Sequence, residues 1–149
     1  LSASATTPTL PAGYDQKALV SAVHNTSGDF VAFTQEGNIY SYTSAISIAS
    51  GAQAGWGTLD VTAKVPSGIS TVAFGTLFAT GEGSGALTNN SSSDTANLTT
   101  GRNKVMIGNV PGEYASLHWR FQLLTANTLY YYSQGGTTAY ISGFEINKL

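Results

Sequence analysis

Eight tyrosines are the largest stock of chemically versatile side chains in this 149-residue sequence, and four of them cluster. Tyr130, Tyr131 and Tyr132 are consecutive, and Tyr140 follows across the segment Gln134-Gly-Gly-Thr137. A tyrosine ring offers an apolar face that stacks on a sugar or a neighbouring subunit, and a hydroxyl that hydrogen-bonds at its tip. In an extended chain successive side chains point to opposite faces, so three tyrosines in a row cannot all enter one core. At least one ring is expected outside. Tyr130, Tyr131, Tyr132 and Tyr140 are therefore the candidate binding residues, with cross-strand packing and contact between copies as the competing uses of the same rings.

Catalytic chemistry is harder to assemble. Two imidazoles, His24 and His118, accompany many hydroxyls, but no Gly-x-Ser-x-Gly elbow exposes a serine. The acids are Asp15, Asp29, Glu36, Asp60, Glu82, Asp94, Glu113 and Glu145, and most fall in turn-like segments. A hydrolase would require two or more of Asp29, Glu36, His24, His118 and Glu145 to converge. For a metal, Asp94 with Asn89 and Asn90, or Glu82 among its glycines, are the available oxygen ligands, and the spacing of a calcium loop is absent. Gly81-Glu-Gly-Ser-Gly85 lacks the Lys-Ser/Thr and helix of a phosphate cradle. The expectation is a protein without catalytic residues, metal or cofactor.

Composition narrows the partners. Only 9% of residues are charged, against roughly 25% in an ordinary soluble domain, and the net charge is -2. The six basic residues are scattered, which leaves no stripe to neutralise phosphates and argues against nucleic acid. No apolar run is long enough to span a bilayer as a helix. A surface made of hydroxyls and amides suits packing against copies of the same chain or against sugars. Cysteine is absent, so packing and backbone hydrogen bonds must hold the fold.

The elements that must position these residues are short β runs punctuated by Gly, Asn, Ser and Pro. Strands are expected at Lys17 to His24, Phe30 to Gln35, Asn38 to Tyr42, Gly57 to Val65, Ser70 to Thr80, Lys104 to Gly108, Ser116 to Leu124, Thr128 to Ser133 and Thr138 to Ile146. In Leu117-His-Trp-Arg-Phe-Gln-Leu123 the apolar residues Leu117, Trp119, Phe121 and Leu123 alternate with polar ones, which predicts one core-facing side. Thr71 to Phe78 reads as a central strand. Turns at Thr26-Ser-Gly-Asp29, Gln35-Glu-Gly-Asn38 and Gln134-Gly-Gly-Thr137 predict hairpins, and Ala45 to Trp56 and Gly81 to Arg102 read as long loops. Residues 1–9 read as an extended linker and 10–149 as one domain. The fold class expected is all-β: an antiparallel two-layer β-sandwich, jelly-roll-like, with long loops.

Several of these segments carry a family resemblance. Pro8-Thr-Leu-Pro-Ala-Gly-Tyr14, Lys17-Ala-Leu-Val-Ser-Ala-Val23, Ser27-Gly-Asp-Phe-Val-Ala-Phe-Thr-Gln35, Gly37-Asn-Ile-Tyr40 and Val65-Pro-Ser-Gly-Ile69 together resemble a tail-fibre-like module of tailed-bacteriophage virion proteins. The likeness covers about the first half of the chain, and its motifs are turn and core residues, so no catalytic residue carries over. It implies a virion structural domain on a tail fibre, baseplate or capsid, forming a homo-oligomer with other virion proteins nearby and touching a host-surface glycan. The alternative left open by the residues is a secreted carbohydrate-binding module of a bacterial protein.

Overall fold

The computed structural model describes residues 25–26, 29–66, 71–89, 104–108, 113–123 and 127–147. The expected linker, the start of the domain near Leu10, the strand at Lys17 to His24 and the whole 90–102 stretch lie outside these residues. Nine strands are seen among them: β1 (Asn25–Thr26), β2 (Asp29–Phe30), β3 (Phe33–Glu36), β4 (Ile39–Ser50), β5 (Gln53–Asp60), β6 (Thr71–Thr88), β7 (Lys104–Gly108), β8 (Tyr114–Gln122) and β9 (Thr128–Ile146). All pair antiparallel, β1 with β2 as a two-residue ladder and the other seven in one sheet.

Two long strands organise that sheet. β6 and β9, of 18 and 19 residues, pair with each other along most of their lengths. On the far side of β9, β4 covers 138–145 and β5 covers 128–133. On the far side of β6, β8 covers 72–80 and β7 covers 84–88. β4 with β5, and β7 with β8, thus behave as two further long strands, each interrupted at the level where β6 and β9 bend. β3 completes the edge through a two-residue connection to β4, with Gly37 at φ +62° and Asn38 at ordinary φ, the pattern of a type II′ turn.

The sheet doubles back on itself. Val72 pairs with Gln122 near one end of β6, and Asn89, just past the other end, donates its side-chain amide to the Gln122 carbonyl at 2.7 Å. A straight strand would separate Val72 from Asn89 by roughly 55 Å, so β6 must fold over between them. Asn127, ahead of β9, likewise reaches the Pro66 carbonyl, which also accepts from Thr71, the partner of Ile146 at the end of β9. The bend falls at Gly81 (φ +61°) on β6, at Gly135 and Gly136 on β9, and at Gly51 (φ +82°) between β4 and β5. At Gly136, with φ +59°, an added Cβ would lie 2.4 Å from the Thr80 carbonyl, so both conformation and space demand glycine.

The all-β, antiparallel reading of the sequence holds, and where an antiparallel two-layer, jelly-roll-like sandwich was expected the strands form one bent seven-stranded sheet. The physical reason is that β6 and β9 run through both arms and pair on either side of the bend, with the register shifting between Ala79 and Ser84. Three related expectations change with it. Gln134-Gly-Gly-Thr137 is a bend inside β9 and not a hairpin, and Ala45 to Trp56 is strand on both sides of Gly51. Gly81 to Thr88 is also strand, the second arm of β6. The hairpins at Thr26 to Asp29 and Gln35 to Asn38 are present as expected, as is the central position of β6.

The core lies on the inner side of the fold. Ala73, Leu77 and Ala79 of β6, Trp119 and Phe121 of β8, and Ile141 and Phe144 of β9 meet Leu87, Ile107, Leu129 and Tyr131 from the other arm, with Val61 and Val65 closing the end. The Phe144 ring stacks on Tyr40 at 4.7 Å and meets Tyr42 edge-on at 6.1 Å. The Tyr42 hydroxyl donates to the Lys64 carbonyl. Of the alternating residues of β8, Trp119 and Phe121 are buried, Leu123 is half-buried, and Leu117 stays 37% exposed.

Candidate binding face

The outward side of the sheet carries rows of aromatic and hydroxyl side chains. On β6 the odd residues from Ala73 to Ala79 are buried, so Phe74, Thr76, Phe78 and Thr80 face out. Cross-strand pairing then sets the rows: Ser47, Tyr140, Thr76 and His118 lie side by side, and Ser50, Thr138, Phe78 and Ser116 form the next row. Tyr114 follows opposite Thr80, with 76% of its surface exposed, and stacks on Phe78 at 6.0 Å and 15°. Phe74 lies over Gly143, where an added Cβ would come within 2.6 Å of its ring. This arm therefore presents the half-buried rings of Phe74, Phe78 and Tyr140 and the open face of Tyr114, bordered by serine and threonine hydroxyls.

Polar contacts fix this surface. His118 Nδ1 and Thr76 Oγ1 are 3.3 Å apart. Arg120 pairs with Glu145, which also accepts from the Asn38 amide, so the two ions neutralise each other on the face. Gln122 donates to the Thr71 carbonyl and accepts from Asn147. Glu36 is exposed on β3, on the strand beyond β4, away from His118. The side chain of Asp29 and all of His24 lie outside the described residues, and no group of three His, Asp or Glu side chains that could hold a metal occurs among those that are described.

The four tyrosines singled out from sequence do not form one patch. Tyr131 is buried at 3% exposure, and its hydroxyl donates to the Thr137 carbonyl at 2.8 Å, with the Gly51 carbonyl at 3.2 Å. Burial pushes its phenol pKa upward, partly offset by a hydrogen bond with Ser133. Tyr130 and Tyr132 are half-buried on the opposite face, Tyr132 with its ring 5.9 Å from Trp56. They sit on the arm formed with β5, whereas Tyr140 sits beyond the bend on the arm formed with β4. Strict alternation explains the split of the Tyr run, and the bend separates it from Tyr140.

Phe74, Phe78 and Tyr114 are the face residues that sequence reasoning did not assign to a site. Their signal was present as period-two alternation on β6. Tyr114 fell just outside the expected strand, which begins two residues earlier than Ser116. Elsewhere, Asp60 accepts from the Thr62 backbone and is held below the usual carboxylate range by its hydrogen bonds with Thr62.

No protein-family model matches the chain, and comparison with curated proteins and with solved structures yields no match.

Proposed function

We propose that this chain is a non-enzymatic structural and adhesive domain of a bacteriophage virion, which assembles with copies of itself and neighbouring virion proteins and engages a neutral host-surface glycan. The observation that carries the adhesive part is the face around Tyr140, Phe78 and Tyr114. Aromatic rings lie in register with hydroxyls there, and Arg120 and Glu145 cancel each other's charge. A pyranose presents apolar C–H faces rimmed by hydroxyls, and that surface has the matching chemistry. The virion part is supported by the likeness of the TLPAGY-type segments to tail-fibre-like modules and by a chain only 9% charged. The fold-over of β6, which brings Asn89 to Gln122, supports a two-layer packing of the two arms within the one sheet.

The test is binding of the purified chain to a panel of neutral bacterial surface polysaccharides, measured by calorimetry. Tyr140→Ala is expected to weaken binding by about tenfold, the scale of one well-packed contact residue. Equal binding by parent and variant, or no binding to any polysaccharide, overturns the adhesive reading. The same face would serve a secreted carbohydrate-binding module, and the solution mass over a concentration series separates the two. Association favours the virion domain, and a monomer that binds soluble polysaccharide favours the module.

A further inference from the structure

The five strands to either side of β6 and β9 differ sharply in how they protect their edges. β3 is four residues long and ends in Glu36. β4 and β5 both carry register shifts, and β5 adds Gly55, Gly57 and Asp60. β7 is five residues long and opens with Lys104. Short length, bulges and charge are the devices that keep sheet edges from pairing with other chains. β8 uses less of this: its one charge, Arg120, is paired with Glu145, and its nine residues pair with β6 without a register shift, contain no proline, and place exposed Tyr114 and Leu117 along the border.

The direction of its backbone groups follows from two hydrogen bonds. Leu123 N donates to Thr71 O, and Gly81 N donates to Glu113 O, so the odd residues of β8 turn their amides toward β6. The even residues Tyr114, Ser116, His118 and Arg120 then turn theirs outward, because antiparallel ladders alternate in this way. Among the described residues no strand pairs with that border. Gln122, also even, already gives its carbonyl to Asn89, which leaves 114–120 as the open stretch.

We infer that β8 pairs antiparallel with β8 of a second copy about a two-fold axis at Leu117, joining the two sheets into one. This deepens the assembly part of the proposed function and rests on it. The 114–120 stretch is centred on Leu117, and that register is self-complementary. Leu117 meets Leu117 of the second copy at a non-hydrogen-bonded position, where side chains approach most closely. Tyr114, 76% exposed, lies opposite Arg120, 61% exposed, so guanidinium and ring can stack. Ser116 lies opposite His118, and no like charges face each other. Because even residues pair with even residues, the ring-bearing faces of both copies end on the same side of the joined sheet, which presents two Tyr140 sites to one glycan surface.

The chain has no cysteine, so a single introduced thiol is a clean probe. Leu117→Cys should oxidise rapidly to a covalent dimer, since the Cα separation of a non-hydrogen-bonded pair, about 4.5 Å, lies within disulfide reach. Thr34→Cys, exposed on β3, should remain monomeric under the same oxidant. Ser116→Pro removes an outward amide while leaving the β6 ladder intact, and should weaken dimerisation at least tenfold by light scattering with an unchanged circular dichroism spectrum. If the parent chain associates while Ser116→Pro associates equally and Leu117→Cys does not cross-link, the β8 edge is refuted and the assembly reading stands. A parent chain monomeric at every concentration refutes both. Should Ser116→Pro lose its fold, the cross-linking pair decides alone.

Discussion

The hydroxyl of Tyr131 reaches across the bend in β9, donating to Thr137 O within reach of Gly51 O. Thr137 O also accepts from Gly51 N, so removing the phenol oxygen does not orphan that carbonyl. Tyr131→Phe is therefore expected to lower stability by only about 1 kcal/mol in urea unfolding, the net worth of one hydrogen bond. Tyr42 behaves differently with pH. Burial holds its phenol well above the ordinary value. A raised folded-state pKa means that stability is complete below the unfolded value near 10 and falls as pH rises beyond it, because the unfolded chain releases the proton first. Urea midpoints measured between about pH 8 and 12 should fall on the alkaline side, and Tyr42→Phe should flatten part of that fall. Asp60 has the opposite sign. Its lowered pKa gives stability that is present above the usual carboxylate range and lost as pH falls through the folded-state value, and Asp60→Asn should remove that acid-side dependence.

At the scale of the element, the long strands depend on residues that let neighbours come close. A Cβ on Gly143 would lie 2.1 Å from Tyr40 O, and one on Gly75 would lie 2.0 Å from Tyr140 O. Neither backbone can yield without breaking a ladder. Gly143→Ala and Gly75→Ala are each expected to cost about 1–3 kcal/mol or more, read as a lower urea midpoint at constant slope. Much of this strand pattern was legible in the sequence. Lys104 to Gly108 was bounded as observed, and the Gly37 hairpin announced itself through a turn whose geometry requires positive φ. Continuity was the part that misled. Gly135-Gly136 and Gly81 carry the same residue type as a reversing turn, and only the partner strands determine whether the chain turns back or merely bends. The 45–50 segment read as loop because it is rich in Ser and Ala, yet Ile46 and Ile48 alternate onto the core and β9 supplies the segment with a ladder. Likewise, alternation divided Tyr130, Tyr131 and Tyr132 between faces as expected, while the distance of Tyr140 from them depended on a bend that local sequence does not encode.

Across the whole molecule, β6 and β9 pass through both arms of the sheet and so link the arms covalently across the register shift at the bend. Unfolding should be a single cooperative transition, with fluorescence of Trp119 on one arm and Trp56 on the other changing at the same urea concentration. Separate midpoints would show that the bend divides two independently stable units. The pairing also has a directional side. Ile39 is matched with Glu145, Gln53 with Ser133 and Thr71 with Ile146, so β4, β5 and β6 all wait for a partner that a ribosome makes after them. Until residues 128–146 have emerged, those strands have only incomplete neighbours, and the ring between distant parts of the chain cannot close. Pairings this far apart in sequence place folding on the millisecond-to-second scale, counted from the moment residues 128–146 become available. The strand that gives the sheet its unity thus also sets a clock: until it is made, β4, β5 and β6 hold edges open that only β9 closes, and unpaired edges of that kind are what invite pairing with other chains.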